Sequence, residues 1–352
     1  MGVDTHAKNH LYAIIDARTG AVLARPEKFA VTSAGFTKAL AWIGRHTAGA
    51  RVLAAIEGTN SYGRTLAQAA GAAGVAVTEA RASSKKARRG TGKTDGLDAI
   101  RAARSVLERS LAELTEPRQG ETRADLQVLL ISRRQKSRQK TAMINTPNAI
   151  VRTLGLVADT GKKLTMTQIR AIADGGLTGS GHSAIAVAAA TDLADEIIEC
   201  HKALAANERR LRAVVASWRP ELLAVVGVGP VTAARILTVW SHPGRFASQA
   251  HFASIAGASP VPIGSGQSLA WRLNYGGDRQ LNSALHTIAL TRKRHDQRTK
   301  DYITKRTTDG KTPRAIDRLL KRYIAREIFK LLEHGPTHAI SGTHDHQLPA
   351  AA

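Results

Sequence analysis

Apolar and polar positions change rhythm twice along this chain. Up to about residue 110 short apolar runs alternate with helical stretches. LYAIID (11–16) is rich in strand-forming residues, and ARTG (17–20) reads as a hairpin turn before AVLARPEKFAV. TSAGFTKALAWIGRH then places Phe36, Leu40 and Ile43 at helical spacing. RVLAAIE (51–57) has the pattern of a strand buried on both faces, SYGRTLAQAAGAAG that of a helix, and VAVTEA (75–80) that of the next strand. A hairpin meander followed by strand, helix and strand is the order expected of an RNase H-like sheet. Other α/β folds share the rhythm.

From about residue 120 the pattern becomes helical, and DLQVLLISRRQKSRQKTAMI begins apolar and turns basic. Pro147, in TAMINTPNAIV, is expected to kink or end that helix. Leu193, Ile197, Cys200, Leu204, Asn207, Leu211, Val214 and Trp218 follow alternating steps of four and three, a heptad seam. The seam suits either an antiparallel hairpin with 125–145 or a dimerising coiled coil; Asn207 is the polar residue that would fix register. After Pro220 a third segment opens with ELLAVVGVGPVTAARILTVW. It closes with RAIDRLLKRYIAREIFKLLEHG, an amphipathic helix with a basic outer face. The expected organisation is α/β plus α: an RNase H-like domain (1–115), a helical coiled-coil region (116–220), a mainly helical C-terminal domain (221–335) and a disordered tail (336–352).

Composition adds a partner. The 352 residues hold 51 Lys+Arg against 28 Asp+Glu, a net charge of +23, which is the electrostatic footprint of a nucleic-acid binder. No apolar run approaches the length of a membrane span, and aromatics are only 4%. The single cysteine, Cys200, excludes an internal disulfide framework and a cysteine-rich zinc site. No signal peptide is expected, and a reducing, nucleoid-associated cytoplasmic setting fits.

Four carboxylates stand out against this basic background: Asp4, Glu57, Asp95 and Asp98. Asp4 falls on the first strand and Glu57 ends the buried run. Asp95 and Asp98, three apart at a helix start, share one face. Hard oxygen ligands so placed suit Mg²⁺, two ions of which stabilise the attacking and leaving oxygens of phosphoryl transfer. Taken singly, each has a plainer account: a helix cap, a first-turn acid or a solvated strand end.

Candidate phosphate contacts come from two basic stretches. SSKKARRGTGK carries Lys85, Lys86, Arg88, Arg89 and Lys93; SRRQKSRQK carries Arg133, Arg134 and Lys136. GVGPVTAARIL resembles a helix–hairpin–helix turn, with Gly227 and Gly229 letting backbone N–H groups approach a phosphate, although a tight turn between packed helices reads the same way. Ser265, flanked by glycines in GSGQS, is a turn residue or a nucleophile, with Arg272 and Arg279 downstream to stabilise charge.

GVDTH, IEGTNSYG, KTDGLDA, GVGPVTAARIL, SPVPIGSGQSLAWRLNYGGDRQLNSALH and DGKTPRAIDRLLKRYIARE together resemble the insertion-sequence-110 family of transposases, the bridge-RNA-guided recombinases. The resemblance implies a RuvC-like domain in which Asp4, Glu57, Asp95 and Asp98 hold Mg²⁺. It also implies a coiled coil and a C-terminal domain whose Ser265 attacks a DNA phosphate. Implied partners are donor and target DNA, a non-coding guide RNA, and further copies of the chain as a homodimer or homotetramer. Tyr275 stands where the family commonly carries a basic residue. The alternatives are a RuvC-like nuclease that hydrolyses with activated water, and a non-catalytic nucleic-acid-binding remnant of a mobile element.

Overall fold

The computed structural model describes residues 1–80, 95–107, 109–110, 114–153, 163–176, 183–265, 268–273 and 277–335; at 95, 146–153 and 260–273 it describes the backbone alone. The basic stretch 83–93, Tyr275 and the tail lie outside the described residues.

The first elements build a mixed sheet. Strands β1 (Gly2–Thr5), β2 (Asn9–Ile15) and β3 (Val22–Ala30) form an antiparallel meander. Helix α1 (Ser33–Thr47) follows, its first turn capped by the Thr32 hydroxyl, which accepts from Gly35 N at 3.0 Å. Strand β4 (Leu53–Ile56), helix α2 (Arg64–Ala72) and strand β5 (Ala76–Glu79) complete the order β3-β2-β1-β4-β5, with β4 parallel to β1 and β5 parallel to β4. Val3, Tyr12, Ile14, Trp42, Ile56 and Leu66 form the core on one face. Helix α3 (Asp95–Arg104) covers the other, where Ala55, Ala80 and Ala102 meet. Small residues let it sit close: a Cβ on Gly2 would stand 2.1 Å from the Ala99 carbonyl oxygen, so only glycine fits there.

Helix α4 (Glu121–Thr153) runs past Pro147, so the proline does not end it; the loss of one N–H is absorbed within a 33-residue helix. Helices α5 (Met166–Ala173) and α6 (Ala184–Trp218) follow. α4 and α6 pair antiparallel, the intramolecular option for the heptad seam. Asn207 Nδ2 donates to the Leu129 carbonyl at 3.0 Å, Cys200 Sγ lies 3.3 Å from the Lys136 carbonyl, and Lys140 Nζ lies 2.9 Å from His201 Nδ1. Lys140 also holds the His201 imidazole below its ordinary pKa. Ile197, Asn207 and Leu211 are buried as the seam requires, but at its ends Ala194 and Val215 take the places expected of Leu193 and Val214. A 3.6-residue turn drifts against a 3.5-residue repeat, and the drift shows at the ends.

A short 3-10 helix (Pro220–Ala224) leads to α7 (Pro230–Trp240), α8 (Gln249–Ile255), the hairpin β6 (Pro260–Ser265) and β7 (Ser268–Leu273), and then α9 (Arg279–His295), α10 (Gln297–Thr308) and α11 (Pro313–His334). Two compact units result. One comprises Met1–Gln119 with Trp240–Ile255; the other comprises Gly120–Val239 with Ala256–Ala352. The architecture is α/β with a large helical part. Among the described residues no helix is long and apolar enough to cross a membrane.

Candidate active site

Backbone placement gathers the carboxylate positions at one end of the sheet. β1 and β4 run parallel with Val3 opposite Ile56, and Glu57 N donates to the Val3 carbonyl at 3.1 Å. Asp4 and Glu57 therefore end neighbouring strands. Side chains two apart on a strand share a face, so Asp4 lies on the face of Gly2, the one α3 covers. The direction of α3 follows from two contacts. A Cβ on Gly96 would lie 3.1 Å from Pro26, while Arg104 Nη2 donates to the Gly20 carbonyl at 3.2 Å at the far end of β3. Asp4 pairs with Leu11 and Leu11 with Lys28, so the Asp4 level of the sheet is the Pro26–Lys28 end. The first turn of α3, with Asp95 and Asp98, thus overlies the end that carries Asp4 and Glu57.

Two of the described carboxylates have side-chain partners of their own. Asp4 Oδ2 lies 3.1 Å from His6 Nε2, and Asp98 accepts from Arg101 at 2.8 Å. Asp95 opens α3, and its side chain lies outside the described set. Among the described residues no group of three His, Cys, Asp or Glu side chains comes together as a metal-binding cluster. The donor chemistry nonetheless fits a hard cation: Asp4, Glu57 and Asp98 are half-buried carboxylates on adjoining elements, the oxygen set that Mg²⁺ takes.

The turn after Glu57 is held from beside it. Thr5 Oγ1 donates to the Glu57 carbonyl at 2.9 Å, and the buried Thr59 hydroxyl donates to Glu79 Oε1 at 2.9 Å. The other Glu79 oxygen takes the guanidinium of Arg245, whose side chain is 1% exposed and stands 4.8 Å over the Phe246 ring. Sequence reasoning missed His6, Arg101, Glu79 and Arg245. Glu79 ends its strand run as Glu57 does, and Arg101 stands three residues after Asp98, so both carried a signal. Nothing around GRF singles out Arg245.

The remaining candidates are dispersed. Arg133 donates to the Leu204 carbonyl at 2.9 Å and to Glu208 at 3.0 Å within the helical pair, while Arg134 is exposed and Lys136 half-buried. Gly227 adopts φ 86°, and a Cβ there would stand 3.1 Å from the Ile288 carbonyl oxygen, so the turn closes on α9; Gly229 faces open space. Ser265 is the last residue of β6, paired with Ser268, so it ends a strand where a loop was expected. Arg272 lies on β7, and Arg279, exposed, opens α9 behind its cap Asp278. Lys85, Lys86, Arg88, Arg89 and Lys93 lie outside the described residues.

Known families meet the chain over both units. A DEDD transposase model of the IS110 type, described as Transposase, matches residues 1–154, and one described as Transposase IS116/IS110/IS902 family matches residues 220–304. Together they take in more than half of the sequence. The chain belongs to the IS110 transposase family. All four carboxylates fall within the first match of this IS110-family chain, in the order Asp, Glu, Asp, Asp, and Ser265 falls within the second. A Streptomyces coelicolor protein, the uncharacterized 43.6 kDa protein of insertion element IS110, is 31% identical over 147 residues, 41% of this chain and 36% of that protein. The match thus spans about a third of the relative's length.

Proposed function

We propose that this chain is a metal-dependent DNA transposase that cuts and rejoins donor and target DNA. The observation that carries the reading is the convergence of Asp4, Glu57 and the first turn of α3 at one sheet end, in a member of the IS110 family. In this reading residues 1–115 act as a RuvC-like domain, and Asp4, Glu57, Asp95 and Asp98 hold Mg²⁺, two ions in the working site. Residues 221–335 supply Ser265. Mg²⁺ held there would stabilise charge developing on the phosphate oxygens.

The chain's own residues carry the rest. Ser265 Oγ forms a bond to phosphorus and gives up its proton; the phosphorus–oxygen bond to the departing strand breaks, and that oxygen takes a proton. The phosphodiester energy stays in the serine ester, so rejoining needs no nucleotide triphosphate. Asp98 would leave Arg101 to join the metal. A non-coding guide RNA would choose sequence by base pairing, and a homodimer or homotetramer would bring the serine of one copy to the carboxylates of another.

The deciding experiment is a search for DNA covalently linked to the peptide around Gly264–Gln267, by denaturing gel and mass spectrometry, with Mg²⁺ and with EDTA. The reading expects an adduct in the parent chain, none in Ser265→Ala, and an unchanged adduct in Ser268→Ala. An adduct that persists in Ser265→Ala removes the serine assignment. Mg²⁺-dependent cleavage without any adduct makes the chain a hydrolytic nuclease instead.

A further inference from the structure

Helix α11 carries two parallel rows at four-residue spacing. One is apolar and buried: Ile316, Leu320, Ile324, Ile328 and Leu332. The other is offset by two residues, Arg314, Arg318, Arg322, Arg326 and Lys330, and every member is exposed. At 3.6 residues per turn an offset of two is about 200° around the axis, and each four-residue step drifts about 40°. The two rows drift together, so the cationic row stays opposite the core row along the helix.

Helix stability does not account for the second row. Like charges four apart on a helix repel, and this row sets such pairs end to end. Two of the three acids of α11 reach away from it. Asp317 pairs with Lys293, and Glu327 takes Arg292 through both oxygens at 2.7 and 3.0 Å, so both reach across to α9. No Asp or Glu stands three or four residues from Arg318 or Arg322, the middle of the row.

The helix is also firmly held. Thr312 caps its start, and the buried Arg219 donates to the Leu331 carbonyl at 2.9 Å at its end. Beside the row, Tyr323 is 48% exposed; its ring stands edge-on to Tyr302 at 5.4 Å, and the Arg306 guanidinium lies 5.1 Å over the Tyr302 ring. This face belongs to neither of the two family matches, which end at residues 154 and 304.

We propose that the outer face of α11 binds the phosphate backbone of a single nucleic-acid strand, with Tyr323 as a stacking platform for one base. Each step of the row rises about 6 Å, one cation for every one or two nucleotides at about 3.4 Å per nucleotide. A single strand is favoured because only unpaired bases present a face to an exposed aromatic ring. DNA and RNA share this chemistry, and the experiment separates them.

The test measures binding by the full chain in EDTA to a mixed-sequence single-stranded DNA, the same sequence as RNA, and the DNA duplex, across a salt series. EDTA makes the result independent of the metal site, so failure here leaves the cleavage reading standing, and the reverse. Arg314→Gln with Arg318→Gln and Arg322→Gln should lower the log–log salt slope on the preferred single strand by about 2, at roughly 0.7 per lost contact. Tyr323→Ala should weaken single-strand binding about tenfold with the slope unchanged, and barely affect the duplex. The matching Arg→Lys triple keeps the charge and should keep the slope, which also answers the case of a Gln variant that fails to fold. Unchanged slopes on both single strands, a larger loss on duplex than on single strands, or loss of the slope in the Lys triple would each overturn the proposal.

Discussion

The Glu79–Arg245 pair gives the sharpest test of how the carboxylate end of the sheet is held. Arg245 is 1% exposed and Glu79 21%, so removing Glu79 takes the carboxylate from a guanidinium that water barely reaches, and removing Arg245 leaves a half-buried carboxylate. Breaking a buried pair from one side costs about 3–5 kcal/mol. Glu79→Leu should fall near the upper end, because Arg245 has almost no solvent to turn to and the Thr59 hydroxyl loses its acceptor as well. Arg245→Leu should fall near the lower end, because the more exposed Glu79 keeps the Thr59 hydrogen bond. Glu79→Gln keeps one acceptor oxygen for Arg245, turns its amide NH2 toward the Thr59 hydroxyl, which can accept, and loses the charge, which should cost about 1–2 kcal/mol.

The double variant decides the matter. Glu79→Leu with Arg245→Leu leaves no buried charge, and an apolar replacement of an ion pair is often neutral or better. It should therefore be more stable than Glu79→Leu alone, with a coupling of about 2 kcal/mol or more. Because the chain holds two compact units, a single global melting curve is a poor readout. Hydrogen exchange at the amides of β4, β5 and residues 57–63 reads the right region. Single variants that cost under about 1 kcal/mol there, or a double variant that is merely additive, would refute the reasoning.

Further outcomes follow from the same geometry. Asp95→Ala with Asp98→Ala should abolish metal-dependent strand cleavage while leaving nucleic-acid affinity in EDTA within about twofold, since the basic surfaces remain; full cleavage would sink the metal assignment. Neutralising Lys85, Lys86, Arg88 and Arg89 should lower the log–log salt slope of binding by roughly 0.7 to 0.9 per lost contact, and an unchanged slope would make that stretch solvated surface. Burial against Phe36 holds the His10 imidazole below its ordinary value of 6.5, so the unfolded chain binds the extra proton. Stability from this group is complete above that pH and is lost as pH falls below it, by up to about 1.4 kcal/mol per pH unit; His10→Gln should flatten the acid limb of an unfolding titration.

What the sequence made legible was what depends on near neighbours. The strand runs around Ile14, Ile56 and Val77, the helix opening at Asp95 and the seam through Ile197, Asn207 and Leu211 are each written in local periodicity, and all stand in the structure. Contacts between distant stretches were not legible. Nothing in the sequence places Trp240–Ile255 with the first unit, because the contacts that do so, Arg245 to Glu79 and Ser241 to Gln119 among them, span more than a hundred positions. Gly227 left two readings open, because a glycine needed for a close phosphate and one needed for a close Ile288 carbonyl read alike.

Charge shows the same divide most clearly. A basic run states how many cations are present, and its partners lie elsewhere in the chain. Arg133 sits in SRRQK as a candidate clamp, yet it is bound to the Leu204 carbonyl and Glu208, more than seventy positions away. Arg101 sits beside the candidate metal ligands and holds one of them. The row on α11 differs because its direction is fixed by its own helix. Once Ile316, Leu320, Ile324, Ile328 and Leu332 are known to be buried, helical geometry alone turns Arg314, Arg318, Arg322, Arg326 and Lys330 outward. A cation opposite a core row can be placed from sequence; a cation beside one needs the fold to show which carbonyl or carboxylate it meets.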